Sequence, residues 1–294
     1  MLGVKSAKSL EFTVPQECDG ALLGAFLHKT KNVSQRIIRN AKRMDGGITA
    51  DGVHIRTVDA VRAGQRIKIL LPEPQCDMQP ENIPLEIVYE DEHYLLINKG
   101  SNMPVHPTSN IHVADTLANG VAQYMRRCGD LFSISIVNRL DKHTSGLVLI
   151  AKNAYAAENA AKTAQKKYFA VCSGELTKPG RIDAPIARCG DSIITRCVSE
   201  SGARAVTNYE PLKIANGRTL AAIKLETGRT HQIRVHFSYI GHPLEGDDMY
   251  GGSLDNIRRQ ALHCGELSFV HPVLEKRLEF TSPLPQDMAG LLKI

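Results

Sequence analysis

The sequence predicts a mixed α/β fold of the α+β class, with a small basic N-terminal domain followed by a larger domain of strands and helices. Of the 36 Lys/Arg and 31 Asp/Glu, 12 and 7 lie in the first 75 residues, so the net charge of +5 resides in the first quarter and the rest is balanced at 24 each. The prolines that interrupt regular structure at the end of this quarter and just after it are Pro72, Pro74, Pro80 and Pro84. From Leu85 onward, short apolar runs alternate with helical segments, predicted at residues 114–127 and 154–166, which is typical of a domain that mixes the two.

The overall composition excludes several classes of protein. Hydrophobic residues make up 43% of the chain, enough for a globular core. No apolar run reaches the roughly 18 residues that cross a bilayer, and residues 1–10 are polar and basic, so we expect neither a membrane span nor a signal peptide. The seven cysteines never form a CxxC pair, which argues against zinc and a disulfide framework and favours a cytoplasmic location.

A basic helix is the main feature of the N-terminal quarter. Ser34 is a favourable N-cap for a helix through Met44. At about 100° per residue, the apolar side chains share one face; they are Ile37, Ile38, Ala41 and Met44. The opposite face and the adjacent lysine supply the candidate RNA-binding residues Arg36, Arg39, Lys42 and Arg43. A guanidinium can bond two phosphate oxygens at once, so this face predicts nucleic-acid contact; the alternative is an ordinary solvated surface.

Residues 9–73 as a whole resemble the S-four-like RNA-binding domain. The resemblance rests on a Ser-led basic helix, a Gly-rich turn, a turn glycine after a short strand, and a Gly-x-x-Ile-x-Ile pattern. These are residues 34–36, 46–48, Gly52 and 64–69. The resemblance implies RNA binding by this domain. We expect residues 74–84 to be a proline-rich linker and residues 85–294 to form the second domain.

A single acid, Asp141, lies between two apolar runs at residues 134–137 and 147–150. Both runs predict short buried strands, which places Asp141 on their connection, with Gly146 closing the turn. A carboxylate on a loop held by buried strands is well placed for chemistry. The alternative is a turn aspartate that bonds its own backbone.

Residues 228–236 form the second informative segment. Thr230 is a possible cap for a helix to Ile240, and the segment carries two arginines, Arg229 and Arg234. His231 and His236 are five residues apart, about 140° around a helix, so they cannot bind a metal as an i, i+4 pair could. The acids of the nearby loop 246–251 are too few for a cation site, and this loop predicts a structural turn.

Four ordered blocks from residue 85 onward resemble the RluA-type family of RNA pseudouridine synthases. The blocks are Asn-Arg-Leu-Asp-Lys-His-Thr-Ser-Gly-Leu at 138–147, Lys-Lys-Tyr-Phe-Ala at 166–170, Thr-Gly-Arg-Thr-His-Gln-Ile-Arg-Val-His at 227–236, and the run from Gly-His-Pro-Leu at 241–244 to Tyr-Gly at 250–251. The resemblance implies a catalytic domain built on a largely antiparallel mixed sheet with flanking helices. The chain departs from the family pattern at Asn138, where the family has His, and at Gly100, where it has Pro.

By this resemblance, Asp141 is the catalytic acid that starts the exchange of the ribose bond from a uracil nitrogen to a uracil carbon. A carboxylate can attack covalently or remove a sugar proton, and both routes stay open. Arg234 is expected to pair with Asp141, and Tyr168 to stack on the flipped base. The expected substrate-binding residues are Arg139, which would enter the gap in the RNA stack, Ile233, which would line the pocket floor, and Arg229. The resemblance implies no cofactor and no metal.

The predicted function is therefore isomerisation of specific uridines in structured RNA, with large-subunit ribosomal RNA as the leading target and transfer RNA as the alternative. We expect a monomer without an obligate protein partner. Two other classes stay open. One is a non-catalytic RNA-binding or ribosome-assembly factor on the same scaffold. The other is a metal-dependent hydrolase using His231, His236 and Asp247, which the histidine spacing disfavours.

Overall fold

A computed structural model describes residues 8–73, 76, 78–107, 114–190 and 192–293. Within them, a four-stranded sheet occupies the N-terminal part and a ten-stranded sheet occupies the remainder, with a separate two-stranded ribbon. Helices flank the large sheet, whose strand pairs are antiparallel except one. The predicted mixed α/β class with a largely antiparallel sheet is confirmed.

The strands follow one another in chain order. Those of the N-terminal part are β1 Ser9–Thr13, β2 Ile48–Ala50, β3 Val53–His54 and β4 Arg66–Leu70. The next strands are β5 Ile87–Glu90, β6 Tyr94–Lys99, β7 Ser135–Ile136, β8 Ser145–Ala151, β9 Gln165–Ser173 and β10 Gly180–Asp183. The last are β11 Ile186–Arg188, β12 Arg196–Val198, β13 Val206–Ala215, β14 Arg218–Leu225, β15 Leu262–His271 and β16 Lys276–Thr281. The helices are α1 Leu23–Ala25, α2 Gln35–Ala41, α3 Leu117–Cys128, α4 Ala154–Thr163, α5 Gln232–Tyr239 and α6 Gln286–Gly290.

The N-terminal sheet has the strand order β1-β4-β2-β3, and α2 packs its apolar face on the core beside it. Ser34 caps α2, because its Oγ accepts the N–H of Ile37 at 3.3 Å. The predicted extension to Met44 is wrong, since α2 ends at Ala41. The chain folds back there so tightly that a Cβ on Gly47 would lie 1.8 Å from the carbonyl oxygen of Ala41, and this reversal delivers Ile48 to the sheet.

The N-terminal part packs against α4 of the larger part. Tyr155 of α4 is fully buried in the N-terminal core, edge-on to Phe12 with ring centroids 5.8 Å apart. Its hydroxyl donates to the carbonyl oxygen of Lys31 at 2.7 Å. Two ion pairs flank this contact, Lys31 with Glu275 at 2.6 Å and Arg36 with Glu158 at 2.9 Å. The two parts therefore share apolar, hydrogen-bonded and ionic contacts.

The large sheet has the order β10-β13-β14-β9-β15-β8-β6-β5, with β16 paired to β15 and β7 to β8. Strand β15 therefore lies between β9 and β8, although it comes last but one in the chain. Its pairing with β8 is parallel, in the register His263 to Ser145 and Cys264 to Gly146. The buried side chains of β6, β8 and β9 form the main core with α3 and α4.

Gly146 does not close the predicted turn, because it lies within β8 and faces β15. Its φ is +115°, a conformation that side-chain-bearing residues rarely adopt. A Cβ at this position would lie 2.3 Å from the carbonyl oxygen of Cys264. Glycine is therefore required where the backbones of β8 and β15 meet.

Four predicted helix limits are also wrong. The helix predicted from Ala114 starts at Leu117, because Asp115 has a φ of +64°; its end at residue 128 is one beyond the predicted 127. The helix predicted to reach Lys166 ends at Thr163, because Gln165 opens β9. Thr230 does not cap α5; the N-cap is His231, whose φ is +58°.

The proline-rich segment 74–84 includes residues 74, 75 and 77, among them Pro74, which lie outside the described residues. Its described part forms neither helix nor strand and lies against α3. Asn119 donates from Nδ2 to the carbonyl oxygen of Gln79 at 2.8 Å and accepts the N–H of Glu81 on its own carbonyl at 3.2 Å. The domain limits 9–73 and 85–294 stay predictions.

Candidate active site

The loop that carries Asp141 connects β7 to β8 and is clamped to β8 by Asn138. The Asn138 Nδ2 donates to the carbonyl oxygen of Leu147 at 2.9 Å, and its Oδ1 accepts the N–H of Leu149 at 2.8 Å. This side chain is 5% exposed, so it completes the backbone hydrogen bonding of β8 where β7 ends. A neutral amide performs this task, and nothing in the geometry calls for a charge at position 138.

Asp141 uses its backbone and its side chain differently. Its carbonyl oxygen accepts the N–H of Thr144 at 3.1 Å, which closes the turn. Its carboxylate, 29% exposed, instead faces Arg234, whose Nη1 lies 3.4 Å from Oδ2. The carboxylate therefore points away from its own turn and toward a cation contributed by α5.

Lys99, at the end of β6, holds the backbone beneath the loop. Its ammonium donates to the carbonyl oxygens of Gly100 at 2.8 Å, Met103 at 2.9 Å and Lys142 at 3.3 Å. The residue is 1% exposed, and burial lowers its pKa to about 7, while the charge of Asp141 opposes this shift. Three acceptors match the three N–H bonds of an ammonium, so Lys99 fixes the backbone next to Asp141.

The rest of the loop is held by residues that precede β15. Arg259 donates from Nη1 to the carbonyl oxygen of His143 at 3.4 Å, and its Nε donates to Asp287 at 2.6 Å. Gln260 donates from Nε2 to Oγ1 of Thr144 at 3.3 Å. The three residues after Asp141 are therefore each fixed by a side chain, Lys142 from β6 and both His143 and Thr144 from the segment before β15.

Arg234 is the most strongly constrained charge in the site. Its Nε and Nη2 each donate to one carboxylate oxygen of Asp247, both at 2.7 Å. The two side chains are 6% and 1% exposed. Burial alone would lower the pKa of Arg234, but the hydrogen bonds and charges of Asp247 and Asp141 raise it. Asp247 therefore aims the guanidinium and leaves Nη1 for Asp141.

Tyr168 lies on β9, paired with Ile223 of β14 and Cys264 of β15. It is 7% exposed. Burial raises the pKa of its hydroxyl well above the ordinary value, and Cys264 and the Asp141 carboxylate add to the rise. The structure thus brings a neutral phenol into the electrostatic range of Asp141.

His231 and Tyr250 complete the surroundings of Asp141. His231 Nε2 lies 3.9 Å from Asp141 Oδ2, and its Nδ1 is 2.8 Å from the hydroxyl oxygen of Tyr250. The ring of Tyr250 lies beneath the guanidinium of Arg234, 4.9 Å from its central carbon. His231 therefore faces the Asp141 carboxylate itself, and Tyr250 contacts both His231 and Arg234.

The three expected substrate-binding residues differ in their placement. Arg139 is exposed on the loop. Burial of His106 lowers the pKa of that histidine, and the charge of Arg139 lowers it further. Arg229 is exposed and donates from Nε to the carbonyl oxygen of Arg204 at 3.1 Å. Ile233 is 4% exposed within the main core. Arg139 and Arg229 are thus accessible to a large ligand, whereas Ile233 packs beneath the site.

Basic side chains of α2 and of the two residues that follow it line an open groove. Arg39, Lys42 and Arg43 are exposed along a groove of about 620 Å³ that also includes Leu22 and Thr57. Arg36, the fourth candidate, points elsewhere and pairs with Glu158. The groove therefore has three basic side chains rather than four.

Neither a metal site nor a membrane segment is found where the structure describes the chain. No three His, Cys, Asp or Glu residues cluster in a way that could hold a metal ion there. His236 is buried, with Nδ1 near Oγ1 of Thr207 and Nε2 near the carbonyl oxygen of Ala184, both at 2.9 Å. No helix among the described segments is long and apolar enough to span a bilayer.

Sequence reasoning missed Asp247, His231 and Lys99 as members of this site. Asp247 was predicted as part of a structural turn, yet it holds Arg234. At the end of β6, only Gly100, the neighbour of Lys99, stands out in the sequence. A buried position for an ion-forming residue is the signal that would have identified them, and the burial of Lys99 and Asp247 follows from tertiary packing.

Comparison with known proteins agrees with this geometry. The family model for RNA pseudouridylate synthase matches residues 93–239, a span that includes Asp141, Tyr168 and Arg234. An uncharacterized RNA pseudouridine synthase, YjbO, of Bacillus subtilis is 40% identical over 270 residues, covering 89% of this chain and 95% of the relative. The ribosomal large subunit pseudouridine synthase D of Escherichia coli is 34% identical, covering 89% of this chain and 83% of the relative.

A solved structure agrees as well. Human RNA pseudouridylate synthase domain containing 1 superposes with a TM-score of 0.55 at 28% identity, over 70% of this chain and 86% of the human one. The family model spans half of the chain, and the bacterial relatives align over most of their length. The chain therefore belongs to the RNA pseudouridylate synthase family, as its four sequence blocks predict, and is an isomerase that acts on RNA.

Proposed function

We propose that this protein converts specific uridines of large-subunit ribosomal RNA to pseudouridine, with Asp141 as the catalytic acid. The observation that carries the proposal is the approach of Arg234, itself aimed by Asp247, to Oδ2 of Asp141 at 3.4 Å. A guanidinium at this place fixes the direction of the carboxylate. The reaction needs such a fixed anion beside the ribose.

The chemistry is an isomerisation without any net redox change. The bond between ribose C1′ and uracil N1 breaks, a bond between C1′ and uracil C5 forms, N1 gains a proton and C5 loses one. The Asp141 carboxylate can start this either by covalent attack or by removing a sugar proton. The same carboxylate can therefore open either route.

The remaining residues take roles around the flipped base in this proposal. Tyr168, with its neutral hydroxyl, stacks on the uracil. Ile233 supports the floor of the pocket, and Arg229 contacts the RNA. Arg139, exposed beside the catalytic loop, enters the gap that the flipped nucleotide leaves in the RNA stack.

Residues 9–73 serve as an S-four-like RNA-binding domain in this proposal. The groove lined by Arg39, Lys42 and Arg43 supports it, because exposed basic side chains along a concave surface suit a phosphate backbone. Ribosomal RNA is proposed as the target because several relatives carry the name ribosomal large subunit pseudouridine synthase D.

We also propose that the protein acts as a monomer in the cytoplasm. Asp141, Arg234, Asp247 and Tyr168 all come from one chain, so the site needs no second copy. The seven cysteines are free thiols, which suits a reducing compartment.

The decisive experiment maps pseudouridine across ribosomal and transfer RNA in cells with and without the gene. We expect at least one ribosomal site to disappear on deletion, to return with the wild-type gene and to stay absent with Asp141→Asn. Asp255→Asn, which changes an exposed aspartate outside the site, is the matched control and should restore the site. A site lost only from transfer RNA would move the proposed target. No lost site, or restoration by Asp141→Asn, would reject the proposal.

A further inference from the structure

A line of polar groups runs from the two-stranded ribbon to the catalytic loop. The backbone N–H of Arg196, at the start of β12, donates to the hydroxyl oxygen of Tyr250 at 3.1 Å. The same oxygen lies 2.8 Å from Nδ1 of His231. The Nε2 of His231 then faces Oδ2 of Asp141 at 3.9 Å. Arg196, Tyr250 and His231, which come from separate elements, thus lead one after another to the carboxylate of Asp141.

The chemistry of the first group sets the direction of the whole line. A backbone N–H can only donate, so the oxygen of Tyr250 accepts from Arg196. Among the contacts of the described residues, Nδ1 of His231 is the one acceptor within reach of the hydroxyl proton of Tyr250, and this proton is therefore directed to it. A neutral imidazole that accepts at Nδ1 carries its proton on Nε2. The protonated nitrogen of His231 is consequently the one that faces Asp141, at a separation of 3.9 Å that is longer than a hydrogen bond.

The charges around His231 are consistent with a neutral ring. Burial is the main influence and lowers the pKa of the imidazole below its ordinary value. The carboxylates of Asp141 and Asp247 oppose this shift, while the cations of Arg234 and Arg196 add to it. At neutral pH the ring therefore carries one proton, and Tyr250 decides which nitrogen bears it.

The backbone of His231 is also unusual. Its φ of +58° places a residue that bears a side chain in the left-handed region. Such a conformation persists only where the surrounding structure enforces it. Here the left-handed backbone of His231 lies at the N-terminal end of α5, and its imidazole faces the catalytic loop.

We propose that His231, fixed in its Nε2-protonated form by Tyr250, is a positioning residue that holds Oδ2 of Asp141 together with Arg234. Both donors approach the same oxygen, and this leaves Oδ1 as the reacting oxygen. Tyr250 serves both donors, because its ring also supports the guanidinium of Arg234. This inference rests on the proposed role of Asp141.

The experiment measures single-turnover pseudouridine formation by the full-length protein on large-subunit ribosomal RNA from cells that lack the gene. His231→Asn keeps a residue that tolerates the left-handed backbone but cannot reach Asp141. We expect its kcat to fall about 10-fold with little change in KM, because the 3.9 Å approach of Nε2 to Oδ2 should tighten to a hydrogen bond when RNA is bound. His231→Gln, whose amide N–H can reach the position of Nε2, should lose only about three-fold.

Tyr250→Phe provides a second, independent variant. Without the hydroxyl, nothing directs the imidazole proton to Nε2. The neutral ring also loses the hydrogen bond that Tyr250 donates to Nδ1. We expect a lower kcat and an acid limb of the kcat profile that moves up by about half to one pH unit. Tyr239→Phe, which removes an exposed hydroxyl from the end of α5, is the matched control and should follow the wild type.

The outcomes separate this inference from the proposed function. An inactive wild-type enzyme would overturn the proposed function itself. An active wild type with an inactive Asp141→Asn variant, but with unchanged kcat for His231→Asn, would overturn the inference alone. Equal losses in His231→Asn and His231→Gln, or a Tyr250→Phe profile that superimposes on the wild type, would also reject it, because they indicate only a structural role.

Discussion

The arginines of the basic segment 36–43 and the arginine of α5 are the same residue type in opposite surroundings. The Arg36 side chain is 69% exposed, and Arg39 and Arg43 also face solvent. Arg234 is 6% exposed and has a carboxylate on each side. Exposed charges attract a polyanion over a distance and are screened by salt, whereas a buried, paired charge fixes one geometry. The exposed arginines are therefore suited to attracting the RNA, and the buried Arg234 is suited to aligning Asp141.

The largest effect is expected from the buried pair. Asp247→Asn leaves the charge of Arg234 buried without its bidentate partner. We expect a loss of about 3–5 kcal/mol in the free energy of unfolding, the usual result of removing one partner of a buried ion pair. We also expect kcat to fall about 100-fold, since misplacing a catalytic group by about 1 Å costs that much. Denaturant unfolding and single-turnover rates measure the two effects.

Asp248→Asn is the control for this variant, because Asp248 is the adjacent, exposed acid and bonds only locally, to the N–H of Met249. Its unfolding midpoint and rate should match the wild type. Equal behaviour of the two variants would show that Arg234 does not depend on Asp247.

The next effect concerns a buried group on β15 that titrates. Burial lowers the pKa of His263 from 6.5 to about 4 in the folded protein. The stability that its neutral form contributes is complete above pH 6.5 and is lost as the pH falls toward 4, because the unfolded chain binds the proton first. The difference corresponds to about 3 kcal/mol. Unfolding of the wild type and His263→Gln between pH 7 and pH 4 should give a flatter slope for the variant; parallel slopes would contradict this.

A smaller effect is expected on the exposed side of the comparison. Replacing Arg39, Lys42 and Arg43 together by Gln should raise KM about 10- to 100-fold and reduce the salt slope of RNA binding by about two to three. The control replaces the exposed lysines Lys178, Lys213 and Lys276 by Gln, which removes the same charge. If both triple variants lose affinity equally, only net charge matters, and the groove has no special role.

The smallest effect is expected where the two regions meet. The ion pair between Arg36 and Glu158 is largely exposed on the arginine side. A double-mutant cycle with Arg36→Gln and Glu158→Gln should give a coupling below about 1 kcal/mol. A coupling of several kcal/mol would mean that this pair, rather than the burial of Tyr155, holds the two parts together.

Local features of this molecule were predictable from the sequence because they depend on neighbouring residues. The cap at Ser34 and the position of Asp141 between apolar runs follow from short patterns. The resemblance supplied the partner Arg234, which no local pattern indicates. The pairing of Arg234 with Asp247 and the three carbonyls around Lys99 depend on side-chain directions set by tertiary packing. The left-handed backbone of His231 cannot be predicted from its residue type. The sequence therefore predicts the helix cap at Thr230, one residue too early.

The position of β15 has a consequence for the order in which the protein is made. Asp141 precedes β8, and Tyr168 lies on β9, yet those strands meet only through β15. A chain emerging from the ribosome therefore holds the acid and its partners on two unjoined pieces of sheet until residues 262–271 are available. Such late, long-range pairing slows folding and exposes strand edges. We therefore expect nascent chains that stop before β15 to be inactive and to be the ones that chaperones bind.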